Sequence, residues 1–299
     1  MEGVAKTIEG PMASQDKERN QSLESLDEAQ HLHRLLELEM GSRGPETQVQ
    51  RKVGKRAAPD AHLVSLLAPT SVEAEQYRTL GFLLQQKQQT GALKVIAVSS
   101  ATPGDGKTTT AINLAGAMAQ SHEARVLLVD ADLRLPSVAR QLGMTESEVP
   151  GFADAIMNPE YALKDVVREC PGFHLAVLPA GRCPLLPDEV FKSARVRELL
   201  EEARTSYDYI VLDTPPFVLV PDCRMIEKWV DGFLLVIAAH KTPQKLVEEA
   251  LNIMNPAKLV GLVLNHDDHL ISHYYGYYSA YSQQQEHRQR RLKQRLTKS

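Results

Sequence analysis

Short apolar runs recur along the chain at regular intervals from about residue 90 onward. Val95-Ile96-Ala97-Val98, Leu127-Leu128-Val129, Tyr209-Ile210-Val211-Leu212 and Phe233 to Ala239 are continuous rather than alternating. Continuous runs of this length are the mark of strands buried on both faces. They predict strands over 95–99, 125–130, 173–179, 208–213, 232–239 and 259–265. Between them lie stretches with helical spacing, which predict helices over 107–120, 137–142, 151–157, 188–205, 221–229 and 243–254. Strand and helix in alternation predict an α/β fold: a doubly wound, mostly parallel sheet with helices on both faces. Ligands of such sheets bind at the carboxyl ends of the strands.

The ends of the chain have a different pattern. Residues 1–60 are rich in Gln, Glu, Ser, Lys and Arg and predict a flexible linker segment. Within it Leu23, Leu26, Leu32, Leu35 and Leu36 recur near helical spacing, so 22–40 reads as an amphipathic helix, either a docking segment or a transient helix packed on nothing. The cluster Arg51-Lys52-Val53-Gly54-Lys55-Arg56 reads as a solvated basic linker. Residues 61–270 form the predicted folded domain, and 271–299 a flexible tail that is first Tyr-rich and then basic, from Arg288 to Lys298.

Composition narrows the function. A net charge of −4 over 299 residues gives no general attraction to nucleic acid or membrane. Cys170, Cys183 and Cys223 lie far apart with no Cys-x-x-Cys pair, as inert thiols in a reducing compartment would. No apolar run approaches the ~20 residues of a spanning helix, and no apolar signal stretch follows Met1. The expectation is a cytoplasmic protein that reaches a membrane only through a partner.

The first candidate site follows the 95–99 strand. Ala101-Thr102-Pro103-Gly104-Asp105-Gly106-Lys107-Thr108-Thr109-Thr110 is a Gly-rich loop that runs into a helix. Backbone N–H groups of such a loop converge on phosphate oxygens, and the helix adds its positive dipole end. Lys107 reaches the β- and γ-phosphates and the Thr108 hydroxyl ligates Mg²⁺. This is a P-loop, with Ala101 where the usual pattern has its first Gly, and it predicts ATP binding by Pro103, Gly104, Asp105, Gly106, Lys107, Thr108 and Thr109.

Two further strands end in carboxylates. Leu127-Leu128-Val129-Asp130-Ala131-Asp132 delivers Asp130 and Asp132 to the rim, and Tyr209-Ile210-Val211-Leu212-Asp213 delivers Asp213. Any one of them alone reads as a cap or turn residue; three at strand ends beside a P-loop read as catalytic. Mg²⁺ prefers oxygen ligands and keeps waters, so Thr108, Asp130 and Asp213 are its candidate holders. Asp130 and Asp132 are candidates for the base or orienting group in phosphoryl transfer, with Lys107 neutralising charge. Arg134 is placed to meet phosphate or a neighbouring subunit.

These residues resemble a family. Ser100 to Thr109 looks like the Walker A motif of the bacterial tyrosine kinases (BY-kinases), Val129 to Arg134 like their Walker A′ motif, and Ile210-Val211-Leu212-Asp213-Thr214-Pro215-Pro216 like their Walker B motif. Tyr274, Tyr275, Tyr277, Tyr278 and Tyr281 look like their C-terminal tyrosine cluster. The resemblance implies an ATP- and Mg²⁺-dependent autokinase encoded with exopolysaccharide export systems, which phosphorylates that cluster, often in trans. It also implies self-association, a Wzz-like polysaccharide co-polymerase of the inner membrane as activator, and a cognate tyrosine phosphatase, with no nucleic-acid partner. The family's Glu-x-x-Arg-x-x-Arg oligomerisation motif matches here at Glu75 and Arg78, with Gly81 at its last position. Asn265 looks like the adenine-contacting position, followed by His266 where lysine is commoner. Thr102 stands where the related MinD/ParA ATPases carry an extra lysine.

A tyrosine hydroxyl, with a pKa of about 10, needs a base and charge neutralisation to attack phosphate. Tyr274 to Tyr281, with Gly276 among them, place several such hydroxyls on one pliable segment. The competing reading of the same motifs is a nucleotide-switched scaffold of the MinD/ParA type that hydrolyses ATP without phosphotransfer.

Overall fold

The computed structural model describes residues 57–89, 93–120, 124–144, 150–170, 172–182 and 184–267. The 22–40 helix, the Arg51–Arg56 cluster, Cys183, the tyrosine cluster and the basic end of the chain lie outside the described residues.

Chain order runs α1 (Val64–Leu67), α2 (Val72–Gln89), β1 (Val95–Ser100), α3 (Lys107–Ala119), β2 (Val126–Asp130), α4 (Val138–Gln141), α5 (Phe152–Met157), α6 (Leu163–Val166), β3 (Arg168–Cys170) and β4 (Leu175–Leu178). It continues through α7 (Pro187–Lys192), α8 (Arg195–Ser206), β5 (Tyr209–Asp213), α9 (Asp222–Ile226), β6 (Gly232–Ala238), α10 (Gln244–Ile253) and β7 (Leu259–Asn265). The strands form one sheet in the order β3-β4-β2-β5-β1-β6-β7. Every pairing is parallel except β3 with β4.

The apolar runs become buried strands because each face of the sheet meets its own helical layer. Val95 and Ala97 of β1 join Phe152, Phe217, Phe233 and the α8 stripe Val196, Leu199, Leu200 and Ala203. Ile96 and Val98 face the other way, into Leu63, Ile112, Leu114 and Met118. Residues i, i+3, i+4 and i+7 of α8 therefore form one apolar face, as an amphipathic helix requires. Phe217 meets Phe233 edge-on, with centroids 5.2 Å apart at 80°.

Several elements differ from the sequence expectation, the short helix α6 among them. The helix expected over 188–205 is two helices, because Ser193 turns extended (φ −65°, ψ 136°) and its hydroxyl accepts the Arg195 N–H. The short strand β3 adds an antiparallel edge; with Cys170 alone buried, it has no apolar run to signal it. Helices α1 and α2 precede the first strand and cover one face of α3. Gly81 of α2 is buried there, where a Cβ would lie 3.2 Å from Met118 Cγ.

Sheet register places the site. Asp130 pairs directly with Asp213 across β2 and β5, and Ala238 with Asn265 across β6 and β7. The ends of β2, β5, β1, β6 and β7 thus share one rim. Among the described residues, no helix is long and apolar enough to cross a membrane.

Candidate functional site

The loop between β1 and α3 turns through Gly104 (φ +76°) and Gly106 (φ +91°). Gly106 is the N-cap of α3 in the left-handed region. A Cβ there would meet Asn265 Nδ2 at 2.1 Å, so the position excludes any side chain. The loop is held by its own Asp105, which is fully buried. Its carboxylate accepts from Thr102 N (3.0 Å), Thr102 Oγ1 (2.9 Å) and Thr242 Oγ1 (2.8 Å). Its carbonyl accepts from Asn265 Nδ2 at 2.9 Å. Lys241 Nζ donates to the Gly104 carbonyl at 3.1 Å. The loop is thereby preorganised before any ligand arrives.

Behind the loop the carboxylates converge. Asp130, Asp132 and Asp213 are at most 2% exposed. Thr108 Oγ1 donates to Asp213 Oδ2 at 2.7 Å and accepts from Ser137 Oγ at 3.1 Å. Lys107 Nζ lies 2.9 Å from Asp132 Oδ2. Asp130 Oδ2 accepts the N–H groups of Ser137 and Val138, which open α4. Asp130 Oδ1 and Asp213 Oδ1 are buried and meet no donor.

The electrostatics follow from burial. Burial pushes the Asp213 carboxyl up to about 7, against the pull of Lys107 and the Thr108 hydroxyl. Burial also pushes Asp130 well above the carboxylate range; neighbouring Asp213 and Asp132 add to this, and the Val138 and Ser137 amides oppose it. For Lys107 burial works against the charge, but Asp213, Asp132 and Asp130 outweigh it and hold the ammonium protonated. Three buried carboxylates share one ammonium, so their full ionisation calls for a further cation.

The donor set suits Mg²⁺. It is all oxygen, and two buried carboxylate oxygens lack a partner. Among the described residues no three His, Cys, Asp or Glu form a cage of their own. Mg²⁺ is typically held by one or two carboxylates, substrate phosphates and water, and does not need such a cage.

The structure brings Lys107, Thr108, Asp130, Asp132 and Asp213 to one point and Pro103, Gly104, Asp105 and Gly106 to the loop beside it. Asp105 faces inward, so its backbone and not its carboxylate is what it can offer a nucleotide. The Thr109 hydroxyl reaches Gln141 Oε1 at 3.3 Å. Asn265 stands at the same rim but uses its amide to hold the loop. Glu75 and Arg78 lie elsewhere, on α2, while Arg134 is close enough to Asp132 to feel its charge. Arg78 binds Glu75 and the Pro69 carbonyl of its own chain. Arg134 forms a two-pronged pair with fully buried Asp222, at 2.9 and 2.8 Å. Lys241, Thr242 and Ser137 were missed from sequence, although Lys241-Thr242 follows β6 on the same rim and Ser137 stands at the N-cap of a short helix.

Residues 93–222 match the family model described as an AAA domain. The tyrosine-protein kinase YwqD of Bacillus subtilis is 33% identical over 219 residues, which cover 73% of this chain and 91% of YwqD. The chain belongs to the bacterial tyrosine kinase family. A larger protein matches over part of its length: the succinoglycan biosynthesis transport protein ExoP of Rhizobium meliloti is 31% identical over 67% of this chain, with only 26% of ExoP covered. The kinase domain of the Escherichia coli tyrosine kinase ETK superposes with a TM-score of 0.65 at 27% identity, covering 74% of this chain and 84% of that domain.

Proposed function

We propose that this chain is an ATP-dependent protein-tyrosine autokinase that phosphorylates its own Tyr274, Tyr275, Tyr277, Tyr278 and Tyr281 and thereby regulates exopolysaccharide biosynthesis or export. The observation that carries the reading is the convergence of Lys107, Asp132, Thr108 and Asp213 behind a preorganised phosphate loop. The loop amides and Lys107 hold the ATP phosphates, with Asn265 at the base-binding end of the rim. Thr108, Asp213 and Asp130 hold Mg²⁺, which neutralises phosphate charge when bound. A tyrosine Oη attacks the γ-phosphorus, the bond to the β,γ-bridging oxygen breaks, and ADP leaves. The phenolic proton passes to a carboxylate. Asp132 is assigned that role because it stands at the head of Lys107, where the γ-phosphate is drawn; Asp130 has one oxygen committed to two amides.

The wider reading follows its relatives. ExoP is named for polysaccharide biosynthesis and transport, which supports an inner-membrane, Wzz-like co-polymerase as activator and a cytoplasmic chain that reaches the membrane through it. A cognate tyrosine phosphatase would reset the cluster. Self-association through Glu75, Arg78 and Arg134 requires surfaces beyond the internal pairs that these residues make.

The test is incubation of the full chain with ATP and Mg²⁺, with and without the cytosolic tail of a co-polymerase. Phosphotyrosine that disappears in Lys107→Met and when all five tail tyrosines become Phe is the expected result. ATP hydrolysis without phosphotyrosine under both conditions overturns it in favour of the nucleotide-switched scaffold.

A further inference from the structure

At the opposite rim of the sheet, where the strands begin, lies a cavity of about 390 Å³ that the proposed reaction does not use. Its walls come from α8 (Arg197, Glu201, Arg204), from Lys228, Trp229 and Asp231 ahead of β6, and from Lys258 ahead of β7. The volume falls within the range of small-ligand sites.

The charges around it do not cancel. Arg204 is satisfied twice, by Asp231 (2.7 Å) and by Glu201 (3.7 Å). Asp231 is further occupied by the N–H groups of Lys94 and Val95, both at 2.7 Å. No carboxylate of the described residues lies within ion-pair distance of Arg197, Lys228 or Lys258. Lys258 Nζ is bound to the Val230 carbonyl, and Lys228 Nζ lies 4.7 Å over the Trp229 ring. The cavity therefore carries an excess of positive charge beside an indole whose buried Nε1 has no acceptor. A flat ring that ends in a dianion suits the unpaired cations and the indole. The indole edge and face pack the ring, and Arg197 and Lys228 take the anion in charge-assisted hydrogen bonds.

We infer that this cavity binds a phosphotyrosine side chain of the Tyr274–Tyr281 segment, as a product-recognition site separate from the ATP site. The inference rests on the autokinase reading for the origin of the phosphate. A phosphotyrosine carries about −1.5 to −2 charges at neutral pH, which matches the uncompensated cations. Tyr274 follows Asn265 by nine residues. Nine extended residues span up to about 30 Å, more than the roughly 20 Å length of the strands that separate the two rims. The segment can thus come from the same copy or from a second one.

Trp229 is the single tryptophan of the chain, so its fluorescence reports on the cavity. The experiment titrates phosphatase-treated full chain, without ATP, with a synthetic peptide of residues 272–283 phosphorylated at Tyr278. Trp229 is excited where tyrosine does not absorb. The expected result is saturable binding at least about tenfold tighter than for the unphosphorylated peptide, lost in Arg197→Glu/Lys228→Glu and kept in Lys245→Glu on the exposed side of α10. Both variants sit at exposed positions, and far-ultraviolet circular dichroism confirms their folding. Equal binding of the two peptides overturns the proposal, as does unchanged binding in the double variant. Displacement by inorganic phosphate at the peptide's own concentration overturns it in favour of a bare anion site. Because the peptide arrives phosphorylated, binding in a chain that makes no phosphotyrosine sinks the autokinase reading alone. A chain that makes phosphotyrosine but ignores the peptide sinks only this one.

Discussion

Lys107 Nζ and Asp132 Oδ2 lie 2.9 Å apart, the lysine mostly buried and the aspartate almost wholly so. The cation that should meet the nucleotide is thus already engaged by the group assigned as base. On the proposed reading phosphate draws the lysine away from Asp132, and that exchange leaves the carboxylate free to accept a proton.

Asp132→Asn separates these two effects. It weakens the hold on Lys107 and removes the base. ATP should bind as well as in the native chain or up to about tenfold tighter, while phosphotyrosine formation falls by about 10²–10⁴-fold. Calorimetric affinity measured beside initial rates checks both. A parallel loss of binding would show that Asp132 serves to position Lys107 and not to take the proton.

Gly81→Arg completes the Glu-x-x-Arg-x-x-Arg pattern in sequence but not in space. A Cβ at this buried position would lie 3.2 Å from Met118 Cγ, so the variant should lose roughly 1–3 kcal/mol through overpacking and gain no self-association. Gly81→Ala puts a methyl against the flexible Met118 side chain and gains helix propensity of up to ~1 kcal/mol, so its stability should stay near native. Urea unfolding and size-exclusion chromatography read both.

Asp231→Asn tests the opposite rim through pH. Burial pushes the Asp231 carboxyl up, but Arg204 and the amides of Val95 and Lys94 outweigh it and hold the group below its ordinary 3.8. A depressed carboxyl contributes stability above its unfolded value and loses that contribution as pH falls through the folded one. The variant should therefore unfold more easily at neutral pH, by roughly 1.5–3 kcal/mol for the charged hydrogen bonds lost. The gap should narrow as the pH drops below 3.8, which denaturant melts across that range would record.

Asp130 and Asp213 were legible because each ends an apolar strand, and the parallel register then forces them side by side. The phosphate loop was legible because Gly-Lys-Thr after a strand has few other uses. Helix α2 was not. Its sequence carries Gly81 and a Gln-rich end, and its packing on α3 depends on tertiary contact with Met118 rather than on a strong apolar stripe. Nor were the contacts of Asp105 with Thr242, or of Arg134 with Asp222, since partners separated by 137 and 88 positions meet only once the sheet has formed. Asn265 shows the same limit: its place at the rim could be read from the strand, but its bond to the Asp105 carbonyl could not.

That last bond has a consequence for supply of the acceptor. Asn265 closes β7 in direct contact with the phosphate loop, so everything that follows it is leashed to the mouth of the nucleotide site. On the proposed autokinase reading, the nine residues that tether Tyr274 to Asn265 give its hydroxyl an effective concentration on the order of millimolar at that mouth, however dilute the protein. A foreign peptide, or the tail of a neighbour, must outcompete a resident that never diffuses away. Dilution should therefore starve every other substrate well before it starves this one.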